Sequence, residues 1–263
     1  MKKIIAIIST IVLLSSCEKE IEIDLNSSDP QIVIEGNITD APGPYFVKIT
    51  ETVNFSDGNN YPPVSNALVI ISDNTGIADT LTETSNGIYK TNILNGQPGK
   101  NYNLSVTIED KNYYAVSAMP QKTNLDTLRF IPFDGPGGDN RFSVIPIFTD
   151  PTFVGNNYRF LLTVNGIVAK SYILFNDNVN NGNINQRPIF DRNAKINMGD
   201  SVKVEMRCID LNTFTYFYTL SQIAGNSPRN STTPSNPPNN ITGNKALGYF
   251  SAHTVQTRTQ KVK

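Results

Sequence analysis

Tryptophan is absent from this chain, histidine occurs once and cysteine twice. Each shortage removes a chemistry. Without tryptophan, a carbohydrate platform would have to come from Tyr113-Tyr114 or Tyr216-Phe217-Tyr218, and aromatics in strands and helices more often serve the core. With His253 as the sole histidine, a nucleophile has one imidazole to use as base, and no Gly-x-Ser-x-Gly elbow accompanies it. The bland reading of His253 is a surface strand residue. Two cysteines and one histidine exclude a zinc site built from Cys pairs. Runs of lysine and arginine are missing too, apart from a short basic tail from Arg258 to Lys263 that reads as a solvated terminus. That argues against nucleic acid as a partner, which demands clustered positive charge. Hydrophobic residues make up 38% and charged residues 17%, a balance of globular rather than disordered chains.

What is present begins at the first residue. Lys2-Lys3 precede an apolar run from Ile4 to Leu14, broken only by Ser9 and Thr10, and Leu14-Ser15-Ser16-Cys17 follows. This order reads as a lipoprotein signal peptide, residues 1–16, ending in a lipobox whose thiol is acylated and ahead of which the chain is cut. The alternative is an ordinary cleaved signal with an unrelated cysteine behind it. The run is shorter than the roughly 20 apolar residues of a membrane-crossing helix. On the lipobox reading Cys17 is the lipidation site and the protein is held on the membrane by acyl chains, each buried methylene contributing about 0.8 kcal/mol. Cys208 then has no partner for an intramolecular disulfide, so the fold must stand on packing. Residues 17–30 form an acidic tether containing Glu18-Lys19-Glu20. Such a stretch behind a lipidated cysteine also resembles the signal that sends Bacteroidota lipoproteins to the cell surface. Loss of Lys2 and Lys3 from 22 basic and 23 acidic residues leaves a net charge near −3.

Residues 31–120 alternate with period two between turn residues, which predicts an antiparallel β-sandwich. Tyr45, Val47 and Ile49 form one such run, Ala67, Val69 and Ile71 another, and Tyr102, Leu104, Val106 and Ile108 a third. Asn86-Gly87 suits a tight hairpin. The Pro63-to-Val69, Gly87-Ile88-Tyr89 and Pro98-to-Leu104 segments resemble carboxypeptidase-regulatory-like and other immunoglobulin-like modules, in which such residues are core and turn. Residues 120–150 are less regular and include the loop Asp134 to Asp139. Residues 121–263 make a second β domain, with strands over Tyr158–Val164, a turn at Asn165-Gly166 and a return over Ile167–Phe175. A further strand covers Val202–Cys208, whose phase points Cys208 inward. One short helix near 212–224, capped by Asp210 or Asn212 and ended by Gly225, carries Phe214, Phe217, Tyr218 and Ser221. Asn176–Gln186 and Asn226–Asn240 are long polar loops, and Leu247-Gly248-Tyr249-Phe250 is a late strand.

Few residues suggest chemistry. Asp177-Asn178-Val179-Asn180-Asn181-Gly182 has Asp and Gly at positions one and six of a calcium loop, but Val179 takes a ligand position and Pro188 stands where the bidentate Glu belongs. The Asp134–Asp139 loop invites the same question. Glu35, Glu51, Glu83, Asp134 and Asp150 are carboxylates that no spacing pairs for glycoside hydrolysis. Cys208 would need exposure to act as a nucleophile. No phosphate cradle occurs. The reading therefore names no catalytic residue, no metal and no cofactor.

The Cys17-Glu18-Lys19 start, the Val33-to-Asp40 strand, the Pro42-Gly43-Pro44-Tyr45 turn, Ala67 to Asp73 and the closing Ala246 to Ala252 together resemble one family. It is the group of Bacteroidota lipoproteins called domain-of-unknown-function family 4249. The resemblance carries no activity with it. It implies an outer-membrane lipoprotein, exposed at the cell surface, working beside a TonB-dependent receptor in nutrient uptake. The expectation is a non-enzymatic binding or accessory protein whose loops meet a partner. The alternatives are an envelope hydrolase with an acidic or calcium-assisted site, and a structural adhesion lipoprotein.

Overall fold

A computed structural model describes residues 29–54, 58, 60–134, 140–189, 191, 194–224 and 236–263. The signal peptide, Cys17, most of the tether, Gly225, positions 135–139 of the glycine-rich loop and positions 226–235 of the Asn/Pro/Ser loop lie outside the described residues.

The chain is mainly β with a single helix among the described residues. Its N-terminal sandwich sets β1 (Ile32–Thr39), β2 (Phe46–Glu51), β6 (Ile88–Lys90) and β5 (Thr82–Ser85) in one sheet. Facing them are β4 (Ala78–Thr80), β3 (Leu68–Asp73), β7 (Asn101–Ile108) and β8 (Lys111–Ala118). The alternation works as predicted: Ile34, Val47, Ile49, Val69, Ile71, Tyr102, Leu104 and Val106 all point into the core. The Asn86-Gly87 turn joins β5 to β6, with Gly87 at φ +72°.

The second body is built on β11 (Asn157–Val164) and β14 (Ser201–Ile209), with β12 (Ile167–Val168) and β13 (Ile173–Asn176) along the outer edge of β11. At the β11–β12 hairpin Asn165 (φ 50°) and Gly166 (φ 83°) both adopt the left-handed conformation that a two-residue turn requires. The return strand expected over Ile167–Phe175 is thus two short pieces. Residues 120–150, expected to be less regular, contain a full hairpin, β9 (Thr127–Asp134) with β10 (Asn140–Ile147). Pro132 and Pro146 disguise it, and a two-stranded ribbon tolerates them because neither strand is flanked by a second named strand among the described residues. Its inner face closes a core of Leu128, Val144, Phe148, Tyr158, Phe160, Leu162 and the β14 residues Val202, Val204 and Met206.

One strand joins the two bodies. β16 (Ala246–Lys261) pairs parallel with β1 over its first half and antiparallel with β14 over its second, making a nine-stranded sheet that runs through the whole molecule. Its even-numbered residues Ala246, Phe250 and Ala252 enter the first core. β15 (Ile241–Gly243) adds to β8. A division at 120/121 therefore leaves two strands of the sandwich on the far side of the boundary. The basic tail is solvent-exposed as expected at Arg258, Lys261 and Lys263, but it is not a loose end: Arg258 to Lys261 are ladder residues of β16, and Val262 is buried in the second core. The helix, α1 (Leu211–Ala224), lies on the outer face of this sheet, where Tyr216 and Phe217 meet Tyr249 at ring distances of 5.1 and 4.8 Å. Asp210 caps it, its Oδ1 accepting from Thr213 N at 2.8 Å.

Candidate functional site

Strand pairing brings the candidate site together. Asn157, at the start of β11, lies opposite both Asn176 at the end of β13 and Ile209 at the end of β14. The 151–156 and 177–185 segments therefore leave from the same end of the sheet. Two buried carboxylates clasp them. Asp177 Oδ2 accepts from Gly155 N at 2.7 Å, from Asn156 N at 2.9 Å and from Asn156 Nδ2 at 3.2 Å. Asp150 accepts the Tyr158 hydroxyl through one oxygen and Gly182 N, at 3.1 Å, through the other. Asn181 Nδ2 donates to Thr152 O at 3.0 Å and Asp150 N to Asn183 O at 3.0 Å. Burial, followed by the neighbouring Asp150, pushes the Tyr158 hydroxyl far above the usual phenol range, so it stays a donor. Between the loops is a cavity of about 10 Å³ lined by Phe148, Asp150, Tyr158, Asp177 and Arg187, room for about one water. Hydrogen bonds to charged acceptors contribute about 1.5–3 kcal/mol, so the clasp is a stiff one.

The clasp exposes apolar side chains. Phe153 is 56% exposed, Val154 80% and Val179 92%. Leu211, which follows β14 at the same end, is exposed as well. No residue of 151–156 is charged, and Asp177, which is buried, is the sole charged residue of 176–186. The arrangement offers an uncharged, amide-rich surface tipped by hydrocarbon, on loops whose backbone is already ordered. Such a surface can contact another apolar surface with little further ordering cost.

The residues singled out from the sequence fare differently. Asp177 and Asp150, taken there as a calcium-loop start and an unpaired carboxylate, meet here as the two halves of one clasp. Val179 points to solvent, and Asp177 gives one oxygen to three N–H donors, a structural use of the loop. Glu83 accepts from Asn66 N and Gly87 N, and those backbone bonds hold its carboxyl below the usual range. Glu35 faces Lys48 and Tyr249 across neighbouring strands, and Glu51 ends β2 opposite Ile32, so the carboxylates are scattered. The Asp134–Asp139 loop lies outside the described residues except for the backbone of Asp134 in β9. Cys208 is buried in the second core. Tyr113 is core and Tyr114 exposed; Phe217 is buried while Tyr218 stacks on Phe214 at the surface.

His253 is a correction. It is 2% exposed, not a surface residue. Its Nδ1 lies 3.0 Å from Ser251 Oγ, and Nε2 has no hydrogen-bond partner among the described residues. Burial and the Arg207 and Arg159 guanidinium groups hold its pKa well below the ordinary histidine value. Arg159 itself packs on the Phe217 ring at 3.6 Å. The sequence reading missed Phe153 and Val154 altogether. The available signal was an apolar pair set between Pro151 and Gly155, where a turn should be polar.

A family model described as "Domain of unknown function (DUF4249)" matches residues 18–259. The chain belongs to that family. The match takes in both bodies and every residue of the clasp. No curated protein matches the chain.

Proposed function

We propose that this DUF4249 member is a lipid-anchored outer-membrane protein, fastened through Cys17, that acts as a non-enzymatic binding or accessory component beside a TonB-dependent receptor in nutrient uptake. The observation that carries the reading is the apolar tip of Phe153, Val154 and Val179 on loops clasped by Asp150 and Asp177. A loop that is held rigid while it displays hydrocarbon to solvent is suited to contact rather than to covalent chemistry. The Leu14-to-Cys17 lipobox supports the anchor, and the acidic residues behind it support display at the surface.

The test is affinity isolation of the full-length protein from membranes in mild detergent. A TonB-dependent receptor should accompany it in stoichiometric amount, and a Phe153→Ser/Val154→Ser/Val179→Ser variant should come away alone. Cys17→Ser should leave the membrane fraction and incorporate no labelled fatty acid. A lone monomer from the native membrane, or a receptor that stays with the triple variant, would refute the contact.

A further inference from the structure

The two sheets of the N-terminal sandwich differ in what they turn to solvent. The outward positions of β1, β2 and β6 carry Glu35, Lys48 and Lys90. On the facing sheet, in the order β15–β8–β7–β3–β4, no outward residue is charged, in a chain of which 17% is charged. The neutral face is also patterned. Cross-strand pairing sets Ser105, on the central strand β7, between Tyr114 of β8 and Ile70 of β3. Two residues along β7 in one direction Asn103 lies beside Val116, and two in the other Thr107 lies beside Leu68. A line of short amide and hydroxyl side chains thus runs down β7 with hydrocarbon on its flanks. Tyr114 is 49% exposed, Val116 53% and Leu68 51%.

Each property of this face narrows the occupant. Without charge it offers an anionic or cationic partner no complementary field. β7 is paired to β3 on one side and to β8 on the other, so its backbone is spent and no peptide strand can add to it. The polar centre line disfavours a lipid chain, which would leave those side chains without partners. Five strands about 4.8 Å apart and about 20 Å long make a face of roughly 400 Å², half of the ~800 Å² per partner of a standard protein interface. What fits is a neutral chain with both hydrocarbon faces and many hydroxyls. A pyranose ring carries C–H groups on its faces and hydroxyls around its rim. Among the described residues no hydrogen bond occupies the Asn103 amide or the Ser105 hydroxyl, so both are open to donate and to accept. Tyr114 is the exposed member of the Tyr113-Tyr114 pair and supplies an aromatic surface beside them.

We infer that the outer face of this sheet binds a neutral oligosaccharide, laid along β7 with sugar rings against Tyr114 and Ile70 and hydroxyls on Asn103 and Ser105. The site is on the first body, apart from the clasped loops, and rests on neither the lipid anchor nor the receptor.

The probes are cellohexaose, maltohexaose and laminarihexaose, each titrated by calorimetry into the full mature chain in a detergent without a sugar headgroup. Saturable binding of at least one is expected. Tyr114→Ala removes the aromatic surface and Ser105→Tyr fills the line between the flanks; each should weaken binding about tenfold or more. Tyr218→Ala removes a ring of similar exposure on α1 and should leave binding unchanged. Thermal midpoints followed by circular dichroism show that the variants fold, and where one of the two sandwich variants melts early the other decides. Failure of all three sugars to bind overturns the inference. So does binding that survives a folded sandwich variant undiminished, binding lost on Tyr218→Ala, or a galacturonate hexamer or an uncharged serine–valine hexapeptide bound more tightly than the neutral sugars. No receptor takes part in the titration, so its failure leaves the receptor contact untouched, and loss of the receptor contact leaves this site standing.

Discussion

In the N-terminal sandwich Asp79 Oδ2 accepts the backbone N–H groups of Asn92, Ile93 and Leu94, each at 2.8 Å. In the second body Asp177 Oδ2 accepts those of Gly155 and Asn156. The device is the same, a buried carboxylate gathering the donors of a passing loop, but its consequences differ. The Asp79 clasp draws Leu94 into the first core and leaves Ile93 alone outside. Burial opposes ionisation of Asp79, yet the donated N–H groups outweigh it and hold the carboxyl below its ordinary range. The Asp177 clasp draws in no apolar side chain from the 151–156 loop and leaves Phe153 and Val154 displayed. One clasp closes a core; the other presents a surface. On the proposed reading, the first body is a scaffold and the second bears the contact.

The largest test of that division lies in the strand they share. Gly248 has φ +103°, and a Cβ there would sit 2.0 Å from Ile34 O in the parallel β1–β16 pairing. Gly248→Val should cost more than about 4 kcal/mol, since strain and a lost ladder act together. Denaturant unfolding followed by circular dichroism is the measurement, tryptophan fluorescence being impossible in this chain. Both bodies should fall in one transition because β16 threads them. A second transition at the wild-type midpoint would show that the second body stands without its neighbour.

Next in size is removal of each clasp. Asp79→Ala and Asp177→Ala should each cost about 1.5–3 kcal/mol, the range for hydrogen bonds to a charged acceptor. Their functional outcomes should separate. Asp177→Ala should raise amide hydrogen exchange at Gly155 and Asn156 and weaken receptor co-isolation, whereas Asp79→Ala should leave co-isolation intact in the folded fraction. Equal loss from both would erase the distinction between scaffold and contact.

Histidine gives a smaller, pH-dependent effect. His253 is buried neutral, with Arg207 and Arg159 facing it and Ser251 beside it on β16. Its folded-state pKa lies below the ordinary value of about 6.5, so the unfolded chain binds the proton more readily. The stability it contributes is present above about pH 6.5 and is lost as pH falls toward the folded-state value, at no more than about 1.4 kcal/mol per unit. Asp73 and Asp79, also depressed, act in the same direction only near and below the ordinary carboxylate range. Unfolding midpoints between pH 6.5 and 5 thus isolate the histidine, and His253→Gln should flatten that slope. A slope unchanged in the variant would mean that another group titrates there.

How far this was legible in the sequence depended on whether a residue's neighbours in space were also its neighbours in the chain. Period-two runs and the Asn86-Gly87 and Asn165-Gly166 turns announce their hairpins because strand, turn and strand are consecutive. The β9–β10 ribbon was hidden by Pro132 and Pro146, which read as breakers until their place in a two-stranded pairing is seen. The far half of β16 was hidden by its polarity: Gln256, Arg258 and Gln260 look like a tail, yet they bond the backbone of residues 125–126 and the Thr127 hydroxyl. At the site, Asp177 was visible as a loop carboxylate, but its task depends on Gly155 and Asn156, which no local spacing connects to it.

The smallest predicted effect is on stability and the one that bears most directly on function. Val179 makes almost no contact with the rest of the protein, so Val179→Ser should change the unfolding free energy by less than about 0.5 kcal/mol, the usual span for surface substitutions. If the tip is a contact, the same change should weaken receptor co-isolation, because the hydrocarbon it removes is hydrocarbon a partner would cover. Exposed Ile93 on the Asp79 clasp is the matched control: Ile93→Ser should be as neutral for stability and should leave the partner in place. A partner lost on Ile93→Ser but kept on Val179→Ser would move the contact surface to the sandwich. The apolar tip of the second body would then be no more than solvent-exposed valine and phenylalanine.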